Sequence, residues 1–184
     1  LFLVTLPPMI TSHRHVALDD HTFQIATREH SSSPHLVLLL HGLGCAKESF
    51  AGAFDIEGLK KYTLCSFDWL GYGQSDKPED FSYTLQDQAR IALALIQQIP
   101  HEQISIVAHS MGGGIGLLVA KELPNLHAFI SIEGLLGGGA YSKRIASFSQ
   151  EEFVTNQYTE FLRELQHSNN TAFRQWAHWY EQAS

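Results

Sequence analysis

Ser110 stands in the run Ala108-His109-Ser110-Met111-Gly112-Gly113, between a short apolar stretch, Ile104 to Ala108, and a stretch of helical spacing from Met111 to Glu122. A serine hydroxyl is a poor nucleophile unless it projects from a sharp turn into open space, where a base reaches it and a helix N-terminus stabilises negative charge. Small residues two positions to either side let such a strained turn pack against its neighbours, and Ala108 and Gly112 meet that requirement. An ordinary Ser-Met-Gly loop needs neither. The pattern points to Ser110 as a nucleophile.

No other cluster offers comparable chemistry. The eleven histidines are scattered, and neither they nor Cys45 and Cys65 show CxxC or HExxH spacing, so no metal site and no cofactor is expected. Cys45 reads as a small buried thiol rather than a nucleophile. Twelve Lys and Arg against nineteen Asp and Glu give a net charge of -7 without basic clusters, which excludes a nucleic-acid partner. With 184 residues, 44% of them hydrophobic, the chain suits one globular core, and no apolar run approaches the about 20 residues of a membrane span. Leu1 to Leu6 lacks the basic flank and cleavage site of an export signal, so a cytoplasmic location is expected, with Met9 as a possible start of translation.

The elements that must position Ser110 alternate. A strand through Phe23, Ile25 and Thr27 follows a weaker one at His15 to Leu18, and Leu36 to Leu40 is continuous in the manner of a strand buried on both faces. A helix over Lys47 to Phe54 leads to a strand from Tyr62 to Phe67. Thr84 with Asp87 resembles a capping box for a helix that keeps Leu85, Ala89, Ala92, Leu93, Ile96 and Ile99 on one face before Pro100. Then come the strand Ile104 to Ala108, the helix from Met111, and the strand Ala128 to Ile132. This order predicts an α/β fold with a mostly parallel sheet and helices on both faces. Beyond Gly137 to Gly139 the pattern becomes helical: Ser149 and Glu152 resemble a second capping box ahead of Val154, Tyr158, Phe161, Leu162 and Leu165, and Phe173, Trp176, Ala177 and Tyr180 mark a further helix.

From about His13 to Leu135 the chain resembles an α/β-hydrolase with an AHSMGG elbow. Three motifs carry the resemblance: His41-Gly42-Leu43-Gly44, Asp68-Trp69-Leu70-Gly71-Tyr72-Gly73-Gln74-Ser75-Asp76, and the Ser110 elbow. It implies a catalytic serine, acid and histidine in that chain order, an oxyanion hole from the backbone N–H groups of Leu43 and Met111, and a lid after the sixth strand. On that basis residues 13–135 form an incomplete hydrolase core, and 136–184 the start of a helical lid. His41 is expected to shape the oxyanion loop, and Asp68 to hold scaffold geometry by accepting backbone N–H groups.

Glu133 directly follows the last strand, where some branches of the family carry the triad acid; a carboxylate there equally caps backbone groups near Gly134. The histidine base is not found in this chain. His127 precedes Glu133, and His167 and His178 fall in the lid helices beside Trp176 and Trp179. The expectation is a serine hydrolase cut inside its lid, acting on a carboxylic ester, thioester or amide with an apolar acyl part, water being the only cosubstrate, and inactive as this fragment. The alternative is a non-catalytic ligand-binding or interaction protein on the same scaffold. Haloalkane dehalogenase and epoxide hydrolase chemistries are disfavoured, because they use a carboxylate where this chain has Ser110.

Overall fold

A computed structural model of the chain describes residues 10–134 and 158–181. The strands are β1 (Ile10–Leu18), β2 (His21–His30), β3 (His35–Leu40), β4 (Thr63–Phe67), β5 (Gln103–His109) and β6 (Leu126–Ile132). They form one sheet in the order β1-β2-β4-β3-β5-β6; β1 and β2 join antiparallel, while β4, β3, β5 and β6 run parallel to one another. The expected mostly parallel sheet is therefore present.

The strand β3 shows why its sequence is continuously apolar. Leu36, Leu38 and Leu40 enter the larger core with helices α1 (Leu85–Ile96) and α2 (Met111–Lys121), whereas Val37 and Leu39 join Leu64 and Phe54 on the opposite face. Side chains alternate across a strand, so burying both faces requires both parities to be apolar. The helix expected over Lys47 to Phe54 covers that second face as a 3-10 helix, Lys47–Asp55, not an α-helix. Ala46 supplies no side-chain cap and Gly52 weakens the middle, which leaves the tighter turns favoured in short pieces.

Two further expectations are corrected. The first strand begins at Ile10, well before His15, because its polar half pairs with β2: Ser12 and Thr27 share a hydroxyl hydrogen bond of 3.0 Å, and Arg14 grips Glu29 at 2.6 and 2.7 Å. Thr84 does cap α1, accepting Asp87 N–H at 3.2 Å, but the return bond of a capping box is replaced. Ser82 Oγ accepts the Thr84 N–H and itself donates to the Asp87 carboxylate.

The next described elements after β6 are the helices α3 (Tyr158–Gln166) and α4 (Thr171–Glu181). The expected cap at Ser149 and Glu152, and Val154, lie outside the described residues. Phe161 meets Trp176 edge to face at 5.8 Å, and Leu165 and Ala177 are buried, so the apolar stripes of the two helices face inward. No described helix is long and apolar enough to cross a membrane.

Candidate active site

Ser110 occupies the single residue between β5 and α2 with φ 50° and ψ -118°, a conformation that few non-glycine residues adopt. Its backbone is held from both sides: Ser110 N–H donates to Ile132 O at 3.0 Å, and Gly113 N–H donates to Ser110 O at 2.9 Å. The hydroxyl does not cap its own helix. The turn is tolerated because its neighbours are small. A Cβ on Gly112 would stand 2.6 Å from the carbonyl oxygens of Leu40 and His41, and one on Gly116 would press on Phe129, Leu40 and Ala108.

Gly42 brings the loop after β3 against this elbow, since a Cβ there would lie 3.1 Å from Ser110 Cβ. The loop is fixed by His41. Trp69 N–H donates to His41 Nε2 at 3.2 Å, which leaves the proton on Nδ1, and Nδ1–H donates to Gly42 O at 2.9 Å. Cys45 N–H donates to the same carbonyl oxygen at 3.2 Å. With Gly42 O anchored twice, the opposite end of that peptide, the Leu43 N–H, has a fixed direction. His41 thus shapes the loop with both ring nitrogens engaged.

Burial pushes the His41 pKa down to about 4. The unfolded chain, with an ordinary value of 6.5, then binds the extra proton first, so His41 adds full stability above pH 6.5 and loses it as pH falls to about 4. Urea midpoints measured across this range should decline by the equivalent of about 3 kcal/mol from this residue, and His41→Asn should flatten that slope. Glu29, whose carboxyl is lowered by Arg14 and Thr27 against its own desolvation, adds its decline only below pH 4.5.

The loop after β4 is tied to the loop after β3 by a buried ion pair. Asp68, fully buried, accepts from Lys47 N–H at 2.7 Å, Lys47 Nζ at 2.9 Å and Gln74 N–H at 2.9 Å. Burial opposes the charge on Lys47, yet its hydrogen bonds to Glu48 and Asp68 prevail and hold its pKa above the ordinary lysine value. Asp68 therefore does accept backbone N–H groups, and Lys47 is the partner that no local pattern announces. Cys45 is buried and its thiol is pushed up to about 11, which makes it a poor nucleophile at neutral pH.

Glu133 closes β6 in the left-handed region, φ 51°, with its carboxylate largely exposed and 3.8 Å from His109 Nε2. Met111, the first residue of α2, receives the Tyr72 hydroxyl on its sulfur at 3.9 Å. The structure thus gathers Ser110, Gly42-Leu43, Met111 and Glu133 at the carboxyl ends of β3, β5 and β6. Among the described residues no histidine hydrogen-bonds Ser110 Oγ. His127 stacks edge to face on His35, and His167 Nδ1 bonds Arg163 O at 2.8 Å. His178 lines a cavity with Glu48, Gly73, Gln74, Gln175 and Trp179. One contact that sequence spacing could not show ties α4 to the site: Trp176 Nε1–H donates to Leu43 O at 3.1 Å. Among the described residues no cluster of three or more His, Cys, Asp or Glu could hold a metal ion.

The family model for the alpha/beta hydrolase fold matches residues 35–178. The uncharacterized hydrolase YugF of Bacillus subtilis is 30% identical over 118 residues, covering 63% of this chain and 42% of that protein. An esterase from Exiguobacterium antarcticum superposes with a TM-score of 0.73 at 19% identity, covering 92% of this chain and 68% of the other. The haloalkane dehalogenase DatA from Agrobacterium tumefaciens C58 gives 0.68 at 25% identity, covering 90% and 61%. The chain spans 27–42% of the length of the curated relatives it matches.

Proposed function

The chain belongs to the α/β-hydrolase fold family, and from that membership we propose that it is a serine hydrolase that cleaves a carboxylic ester, thioester or amide through an acyl-enzyme. The observation that carries the proposal is the strained backbone of Ser110 at the β5–α2 junction, packed against the Gly42 loop. Strain of this kind is retained where the surroundings enforce it, and it supports a hydroxyl presented for reaction. Ser110 Oγ attacks the acyl carbon and its proton passes to a base. The Leu43 and Met111 N–H groups receive the oxyanion. Collapse breaks the bond to the alcohol, thiol or amine, which leaves with a proton, and water then releases the acid.

The base is a histidine, as the family implies, and Glu133 is the acid that orients it. Residues 13–135 serve as the core and 136–184 as the lid, whose ring cluster of Phe161, Phe173 and Trp176 favours an apolar acyl part. Two buried free thiols, Cys45 and Cys65, suit a reducing compartment and support action in the cytoplasm.

A fluorophosphonate probe tests the reading, because an activated serine attacks phosphorus as it attacks a carbonyl carbon. The protein expressed from its complete reading frame should be labelled at Ser110, with labelling lost in Ser110→Ala. An unlabelled, folded protein would instead favour a ligand-binding role on the same scaffold.

A further inference from the structure

The turn from Gly42 to Cys45 is closed by Cys45 N–H on Gly42 O, and Gly44 has φ +66°. A positive φ at the third position marks the type II arrangement, which differs from type I by a flip of the central peptide, here Leu43–Gly44. The carbonyl of that peptide is the atom that Trp176 Nε1–H reaches from α4, 133 residues away in sequence. In the flipped turn the Gly44 N–H would take the place of the carbonyl, and two donors would face each other. The seated helix and the flipped turn are therefore incompatible.

We propose that Trp176 is a positioning residue: its indole N–H holds the central peptide of the Gly42–Cys45 turn in the type II state, so that seating of α4 and ordering of the oxyanion loop are one event. The proposal rests on the reading of Leu43 N–H as an oxyanion donor. His41 and Cys45 fix one peptide of the turn from inside the core, and Trp176 fixes the next from the helical segment. A turn that exchanges between two states holds Leu43 less rigidly, and a donor that must reorganise during reaction stabilises the transition state less. Coupling of this kind is reciprocal, so loosening the turn should also loosen the helix. The ring of Trp176 packs on Phe161 and Phe173, which keeps the indole directed while the helix stays seated.

Indole-nitrogen-labelled protein from the complete reading frame tests this directly. Its spectrum contains the signals of Trp69, Trp176 and Trp179, and the one lost in Trp176→Phe is that of Trp176. Its proton should exchange with solvent at least about tenfold more slowly than a free indole. Gly44→Ala, which disfavours positive φ, should abolish that protection while the buried Trp69 proton, bonded to His41 O, stays protected. Free-indole exchange of Trp176 in the unmodified protein, or unchanged protection in Gly44→Ala, would overturn the proposal whether or not Ser110 is a nucleophile. For p-nitrophenyl ester hydrolysis, Trp176→Phe should lower kcat about tenfold with KM nearly unchanged. Unaltered kcat in Trp176→Phe beside an inactive Ser110→Ala would sink the positioning role and leave the hydrolase reading intact.

Discussion

In the protein expressed from its complete reading frame, Ser110→Ala is expected to lower kcat for ester hydrolysis by on the order of 10⁴ to 10⁶ with little change in fold. The hydroxyl oxygen is the atom that forms the acyl-enzyme bond, and from Ala108 to Gly113 there is no other hydroxyl or thiol. Cys45, the nearest thiol in sequence to the oxyanion loop, is buried with a raised pKa. Alanine retains a Cβ, so the strain at φ 50° persists and the denaturation midpoint should hardly move. Ser110→Gly separates chemistry from strain. It should be equally inactive but more stable by about 1 kcal/mol, because glycine adopts a positive φ without steric penalty. Steady-state kinetics and urea denaturation of the two variants check both halves. A Ser110→Ala protein with undiminished turnover would place the nucleophile elsewhere.

Asp68→Ala should destabilise the fold by about 3–5 kcal/mol, the largest stability effect expected of any single site in the loops. The substitution leaves the buried Lys47 ammonium with only the part-exposed Glu48 carboxylate and removes the acceptor of two backbone N–H groups, those of Lys47 and Gln74. The surroundings cannot collapse onto the gap easily. Gly73 presses on the carboxylate so closely that no Cβ fits between them, and Ser66 Oγ fixes Lys47 O at 2.8 Å. Against a typical domain stability of roughly 5–15 kcal/mol, such a loss is a large share. Lys47→Met leaves a buried carboxylate that still accepts both backbone N–H groups, so its effect should be smaller. The double variant Lys47→Met with Asp68→Ala should lose less than the sum of the single changes, because neither member of the pair is left buried without the other. Urea midpoints of the four proteins decide it; strictly additive losses would show that the pair does not act as a unit.

Much of this protein follows from neighbours a few residues apart. Ala108 and Gly112 around Ser110 announce the elbow, the unbroken run Leu36 to Leu40 announces a strand buried on both faces, and Thr84 three residues before Asp87 announces the start of α1. These are local properties: side-chain parity along a strand, the orphan N–H groups of a helix end, and the room that a strained turn needs. Tertiary structure alone decided the rest. The polar half of β1 carries no hydrophobic alternation and became a strand only by pairing with β2. Lys47 reads as a surface lysine until Asp68, 21 residues on, meets it in the core. His41 became a neutral loop anchor through the Trp69 N–H, and Trp176 joined the site across 133 residues. Sequence spacing encodes what a residue does to its own turn of chain, whereas a partner brought in by a strand crossover or a docked helix is selected by the packing of the whole.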